Sequence, residues 1–246
     1  MAQSYKFKTL IDSRDVDCRG QCRASALMGY MQEAATQAAE NGGFGRKIIM
    51  GKYNGFWMLT RMWYRVTRPL NWNEELTVHT WHRGGKGAVS YRDYDLYAGE
   101  EYIGEGVSAW VLADADSHRL IRLSGVTEMA ESHGGALCKT MTLNKLKSPT
   151  ELEFVEQRVM RYSDTDINGH INNTRYADFA CDGLRMDLLA KDKFLSEVQI
   201  GYLGECQAGE VLDIKTGQTE DGRVYLCGCD EDRKARFETV MLFSDV

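Results

Sequence analysis

The chain reads as an α+β protein in which one helix precedes a run of antiparallel strands, and this order occurs twice. Ala24–Asn41 carries helical periodicity and is followed only by strand-like segments. The same succession restarts after about residue 150, and short stretches of the two halves overlay at constant offsets. The alternation of strand and helix that marks a parallel sheet does not occur.

Residues 5–11 (YKFKTLI) alternate as a strand does. In Ala24–Asn41, Leu27, Met28, Met31, Ala34, Ala35 and Ala38 recur at helical spacing, and Gly42-Gly43 ends the helix. Trp57–Val66 reads as a strand with Met58, Met62, Tyr64 and Val66 on one face. Glu75–His82, Ala88–Tyr97 and Glu101–Ala113 follow as strands, separated by Gly- or Asn-rich turns. The pattern weakens between about residues 125 and 150. The expected organisation is a first domain over 1–130, a linker over 131–149 and a second domain over 150–246. In the second domain Phe154–Arg161 reads as a strand. Asn173–Leu189 reads as a helix directing Tyr176, Phe179, Ala180, Leu184 and Leu188 to a core. Strands are expected at Phe194–Tyr202, Val211–Gly217, Arg223–Cys229 and Ala235–Phe243.

With 43% hydrophobic and 27% charged residues, the chain is that of a globular protein able to bury a core. A net charge of −6 argues against nucleic acid. No apolar run approaches the ~18 residues of a membrane span, so no membrane insertion is expected. The N-terminus lacks an apolar signal region, and the seven cysteines are irregularly spaced, which points to reduced thiols in a cytoplasm. Cys18/Cys22 and Cys227/Cys229 lack the partners that zinc spacing requires, so neither a metal nor a cofactor is expected.

Between the second-half strand and helix lies Arg161–Tyr176, with Asp166, Asn168 and His170 at alternate positions and then Asn172 and Asn173. Alternate residues of an extended segment point the same way. On that reading an acid, a carboxamide and an imidazole converge, while Ile167 and Ile171 anchor the other side. Asn172 or Asn173 then N-caps the following helix. Such a set suits a reaction that develops an oxyanion or activates water; the plain alternative is a turn leading into a helix.

An offset of 149 lays Asp17-Cys18-Arg19-Gly20-Gln21 on Asp166-Ile167-Asn168-Gly169-His170. An offset of 136 lays Glu74 on Glu210 and Leu76–Thr80 on Leu212–Thr216. The first copy thus keeps the Asp and the Gly but has Arg19 and Gln21 where the second has Asn168 and His170. A duplicated unit with one active half accounts for this.

The string DINGHINN resembles the D-x-N-x-H-x-N-N signature of the acyl-acyl-carrier-protein thioesterases. Gly106–Leu112 followed by His118-Arg119-Leu120 is similar to that family's Trp-Val strand and Arg-Leu turn. Tyr202-Leu203-Gly204-Glu205-Cys206 is similar to its Y-R-R-E-C, with both arginines replaced. The likeness covers nearly the whole chain. It implies two tandem hotdog domains, each a long helix wrapped by an antiparallel β-sheet, with catalysis in the second. The implied activity is hydrolysis of fatty acyl thioesters on acyl carrier protein, in fatty acid biosynthesis.

By that resemblance Glu205 acts as general base on water, Asp166 orients Asn168 or the water or shares the base role, Asn168 positions water or substrate, and His170 donates to the thioester oxygen or shuttles a proton. Cys206 is either a thiolate nucleophile paired with His170 or a buried small hydrophobe. The water mechanism is favoured, since hotdog thioesterases generally use carboxylates. All five tryptophans lie in the first half, which fits acyl-chain binding there, with Trp57, Met58 and Trp110 as candidates and Asn172 and Asn173 as further substrate contacts.

The expected partner is acyl carrier protein bearing a fatty acyl chain. Candidate basic patches against that acidic partner are Arg46/Lys47, Lys139, Lys145/Lys147, Arg158/Arg161 and Arg233/Lys234/Arg236. The alternatives are an acyl-CoA thioesterase of the same fold, a non-catalytic acyl-binding hotdog protein and a hydratase or dehydratase. Tandem fusion allows a monomer and leaves a homodimer open.

Overall fold

A computed structural model describes residues 3–126, 129 and 133–246, with Lys86 described by its backbone alone. The described residues fall into two compact units. One draws on residues 3–12, 29–66 and the described residues between 73 and 143, the other on 13–28, 67–72 and 144–246. The expected boundary at residues 130 and 131 lies outside the described residues.

In the first unit, β1 (Tyr5–Leu10), β2 (Gly55–Val66), β3 (Glu75–Lys86), β4 (Val89–Ala98) and β5 (Glu101–Asp114) form an antiparallel sheet. Their order is β1-β3-β4-β5-β2, and a two-residue β6 (Leu120–Ile121) pairs with β5. β1 stands at an edge and alternates between half-buried and exposed, as a one-sided strand does. Helix α1 (Ala24–Asn41) contributes its residues 29–41 to this unit and buries Met31, Ala34 and Ala35 from them, along the stripe its periodicity predicts. Each large apolar side chain so buried contributes about 1.5–3 kcal/mol. Gly106 of β5 lets Met31 approach: a Cβ there would stand 2.4 Å from the Met31 Cε.

Two features of this unit depart from the sequence expectation. Helix α2 (Arg46–Tyr53) was not expected, because an eight-residue segment containing Gly51 carries too little periodicity to register. It ends at Asn54, whose φ of 47° is left-handed, and buries Ile49. The second departure is a bulge in β2, where Leu59 pairs with Trp110 and Arg61 with Ala109, leaving Thr60 extra. The bulge reverses the alternation. Met62, Tyr64 and Val66 share a face with Leu59, whereas Met58, opposite Val111, falls on the other face. Trp57 and Trp110 are on the Leu59 face.

In the second unit, β7 (Glu153–Val159), β8 (Lys193–Tyr202), β9 (Val211–Gln218), β10 (Val224–Cys229) and β11 (Ala235–Asp245) form an antiparallel sheet in the order β8-β11-β10-β9-β7. Helix α3 (Arg175–Gly183) packs Tyr176, Ala177, Phe179 and Ala180 into the core. It is shorter than its periodicity suggested. Arg185 takes a left-handed φ of 53°, a short 3-10 turn follows at Met186–Leu188, and Leu188 is exposed rather than directed to the core. Tyr176, Phe179, Tyr202 and Phe237 pack as an aromatic group beneath the helix, with centroid distances from Tyr176 of 5.0–6.1 Å.

Candidate active site

The signature segment is not extended. Asp166 N–H donates to the His170 carbonyl at 2.8 Å and Gly169 N–H to the Asp166 carbonyl at 3.1 Å, so the chain folds back on itself. Thr165 and Ile171 close the turn as an antiparallel bridge. The alternating pattern misled because Asp and Asn side chains bond to nearby backbone and displace strand geometry. The Asp166 Oδ1 accepts the Asn168 backbone N–H at 2.8 Å, and its Oδ2 accepts the Asn168 Nδ2 at 3.3 Å. Gly169, at φ 79°, supplies the left-handed position that the reversal needs. Ile171 is buried and anchors the turn, but Ile167 at its tip is 87% exposed and anchors nothing.

The helix cap also differs. Thr174 occupies the N-cap position, and the Asn172 Oδ1 accepts both the Thr174 N–H and its hydroxyl at 2.9 Å. Asn172 therefore shapes the approach to α3 from two residues outside the cap. Asn173, next in the chain, is half-buried.

Across the turn, His170 meets Glu205: Nε2 to Oε2 is 3.5 Å, with both side chains about a third or more exposed. The structure thus brings together two pairs, Asn168 with Asp166 on the turn and His170 of the turn with Glu205 of a neighbouring segment. Cys206 stays apart from both. Successive side chains of this segment face opposite ways, so Glu205 is exposed while Cys206 is fully buried. Burial pushes the Cys206 thiol up, with Tyr176 beside it opposing the shift and Glu210 adding to it. Its carbonyl accepts the Ile171 N–H at 2.9 Å and ties the turn to the Glu205 segment.

Three positioning residues escaped the sequence reading. Asp164, 2% exposed, accepts Arg161 N–H at 2.9 Å and Arg175 Nε at 3.0 Å, while its carbonyl accepts Asn172 N–H. Asp164 and Arg175 therefore hold the two stems of the turn. Arg236 of β11 is the third: its carbonyl accepts the N–H groups of Leu203 and Gly204, and its Nη1 donates to the Glu205 carbonyl at 3.3 Å. A Cβ on Gly204 would stand 3.0 Å from the Arg236 Nη1. An arginine from a neighbouring strand thus lies against a position where the resembled motif carries one. The missing arginines of that motif were the available signal.

The first copy has the same skeleton. Asp17 N–H donates to Gln21 O at 2.8 Å, Gly20 N–H to Asp17 O at 3.0 Å, and Arg23 N–H to Asp15 O at 2.9 Å. These match Asp166 to His170, Gly169 to Asp166, and Asn172 to Asp164. The Asp17 Oδ1 accepts Arg19 N–H at 2.8 Å, and its Oδ2 accepts Arg19 Nε at 3.3 Å, as Asp166 does for Asn168. Cys22 N–H donates to Leu70 O as Ile171 does to Cys206 O, which puts Pro69 in the place of Glu205. The first copy therefore keeps the turn and lacks imidazole and carboxylate alike. Its Arg19 is engaged with the Lys193 carbonyl at 2.9 Å.

Among the described residues no group of three or more His, Cys, Asp or Glu side chains is placed to hold a metal ion. No described helix is long and apolar enough to cross a membrane. Of the first-half candidates, Trp57 donates its indole N–H to Phe44 O at 3.1 Å and packs on the Phe44, Ile49 and Leu112 cluster. Trp110 donates to the Ser108 hydroxyl at 2.7 Å. Several proposed basic-patch residues are engaged in ion pairs: Lys139 with Asp95 and Glu105, Arg158 with Asp182, Lys234 with Asp232 and Arg236 with Asp230.

Two family models match the chain, the acyl-ACP thioesterase N-terminal domain over residues 2–128 and its C-terminal domain over residues 147–236. Oleoyl-acyl carrier protein thioesterase 2 of Arabidopsis thaliana is 24% identical over 234 residues, covering 87% of this chain and 62% of that protein. The corresponding Coriandrum sativum enzyme is 24% identical over 237 residues, covering 89% and 63%. The chain thus spans about three fifths of the length of these curated relatives. The crystal structure of an acyl-ACP thioesterase from Bacteroides thetaiotaomicron superposes with a TM-score of 0.87, at 19% identity over 98% of each chain. The 12:0-ACP thioesterase of Umbellularia californica gives 0.81 at 20% identity, over 99% of this chain and 98% of that one. At such identities the likeness is one of fold, α+β with two hotdog domains in succession. With both domain models matched in order along its length, this chain belongs to the acyl-ACP thioesterase family.

Proposed function

We propose that this chain hydrolyses the thioester of a fatty acyl chain borne on acyl carrier protein, using water rather than an enzyme nucleophile. The observation that carries this reading is the approach of His170 Nε2 to Glu205 Oε2 at 3.5 Å, on the half that retains the full polar set. Glu205 removes a proton from water as its oxygen attacks the thioester carbonyl carbon. Asn168, oriented by Asp166, positions the water or the thioester oxygen. As the tetrahedral oxyanion collapses, the carbon–sulfur bond breaks, and His170 relays the proton from Glu205 to the departing sulfur. The products are the free acid and the carrier thiol.

Cys206 supports the water route, because its buried, raised thiol has little thiolate to offer near neutral pH. Trp57 and Trp110 are the favoured acyl-chain contacts, with Asn173 a candidate beside the turn; Met58, on the opposite face of β2, is set aside. All seven cysteines are unpaired, which accords with a reducing compartment such as the cytoplasm. The duplicated fold accords with a monomer or a homodimer. The test is thiol release from matched acyl-carrier-protein and acyl-CoA thioesters over a range of chain lengths. Faster release from the carrier substrates is expected. Equal or faster release from CoA would move the chain to a different substrate class, and binding without turnover would leave an acyl-binding protein.

A further inference from the structure

The first unit contains a cavity of about 220 Å³ between the start of β1, the end of α1 and the β3–β4 pair. Its wall combines Ala38, Phe44 and Trp81 with Thr80, His82 and Arg92. Arg92 is only 6% exposed. Its Nη1 donates to the Thr80 Oγ1 at a long 3.4 Å, and among the described residues no carboxylate pairs with it.

The nearest acid, Asp93, acts on this charge only at a distance, against a larger opposing effect of burial. Asp93, the next residue of β4, faces the other side of the strand, where it accepts Arg83 Nε at 2.9 Å and Lys139 N–H at 2.9 Å. No acidic residue lines the cavity. His82 is held neutral at ordinary pH, pushed down to about 4 by burial and then by Arg92 and His133. A buried guanidinium without a counter-ion beside an open cavity calls for an anionic ligand.

We propose that this cavity is a binding site for a carboxylate on a short apolar stem, the carboxylate seated on Arg92 and Thr80 and the stem against Ala38 and Phe44. The free-acid form of this proposal does not depend on the hydrolytic reading above, whereas the acyl-terminus form rests on it. Two sources present this chemistry: a free short-chain acid, and the far end of an acyl chain that ends in a carboxyl group.

The test is titration calorimetry of the full chain with hexanoate and with hexanol, together with hydrolysis of adipoyl and hexanoyl thioesters. Wild type, Arg92→Met and Ala38→Trp are compared, the last filling the cavity from α1 should loss of Arg92 prevent folding. For a free acid, hexanoate binds at least tenfold more tightly than hexanol, and each folded variant loses at least tenfold of that affinity. For an acyl terminus, hexanoate does not bind at this site, while adipoyl turnover exceeds hexanoyl turnover and loses that advantage in Ala38→Trp. Hexanoate binding that equals hexanol binding or survives Ala38→Trp, with no adipoyl preference sensitive to that substitution, would overturn the proposal.

Discussion

Arg175 holds Asp164 through a 3.0 Å ion pair in which the carboxylate is 2% exposed, and the two residues stand on opposite stems of the turn that carries His170. The arrangement separates shaping from the proposed chemistry. Asp164 and Arg175 shape the turn, while His170 and Glu205, the proposed catalytic pair, stand at its surface.

Asp164→Ala is expected to destabilise the chain by about 2–4 kcal/mol, below the full value for a buried pair because Arg175 is a third exposed. Its kcat falls more than its KM rises, since Asn168 and His170 lose their frame. Denaturant unfolding with steady-state kinetics checks both. Unchanged stability would mean the clamp contributes little.

Glu205→Gln and His170→Ala are expected to lower kcat by about 10²–10⁴-fold. Both side chains are substantially exposed, so stability stays within about 0.5 kcal/mol of wild type. A loss of activity that tracks a loss of folded protein would contradict the assigned roles.

Cys206→Ala is expected to retain most turnover and to cost about 1 kcal/mol of stability through lost packing. Because burial raises the thiol, alkylation by iodoacetamide is slower near neutral pH than for an ordinary cysteine and accelerates only at more alkaline pH. A burst of acyl-enzyme, or complete inactivity of a folded Cys206→Ala, would restore the nucleophile.

Gly20 and Gly169 have φ values of 76° and 79°, and at neither would an added Cβ meet another atom within 4 Å. Alanine at either is therefore strained by backbone alone and costs about 1–2 kcal/mol. Only Gly169→Ala is expected to lower kcat as well, because only the second copy holds the proposed catalytic pair. Thermal unfolding and turnover of the two variants side by side give the comparison.

His82 supplies a pH signature. Its folded-state pKa of about 4 lies below the ordinary 6.5, with burial the main cause. The unfolded chain therefore binds the proton first. Stability is unaffected above about pH 6.5 and falls as pH drops from there toward 4, by up to about 3 kcal/mol. Unfolding of wild type and His82→Gln across this range should show the variant with the flatter acid limb.

The order of elements was legible because helix α1 and the strands each carry a long periodic pattern, and the Asp17/Asp166 offset exposed the repeat. Residue chemistry was legible too, since a carboxylate, a carboxamide, an imidazole and a second carboxylate in this order are recognisable before their geometry is known. Geometry was less so. Alternate polar residues at 166, 168 and 170 read as a strand, whereas the Asp166 bonds to Asn168 and the left-handed Gly169 make a turn. The bulge at Thr60 moved Met58 to the other face, which no local pattern announces. Arg236 acts on Glu205 from a neighbouring strand and Asp164 meets Arg175 across the turn, pairings that become visible only once the chain is folded.

The most direct test of the account is single-turnover thiol release from one acyl-carrier-protein substrate by wild type, His170→Ala and Gln21→Ala, all confirmed folded. The account predicts that Gln21→Ala releases thiol within about threefold of the wild-type rate while His170→Ala loses at least about 100-fold. Equal losses in both variants, or full activity in His170→Ala, would contradict the assignment of catalysis to the second copy of the turn.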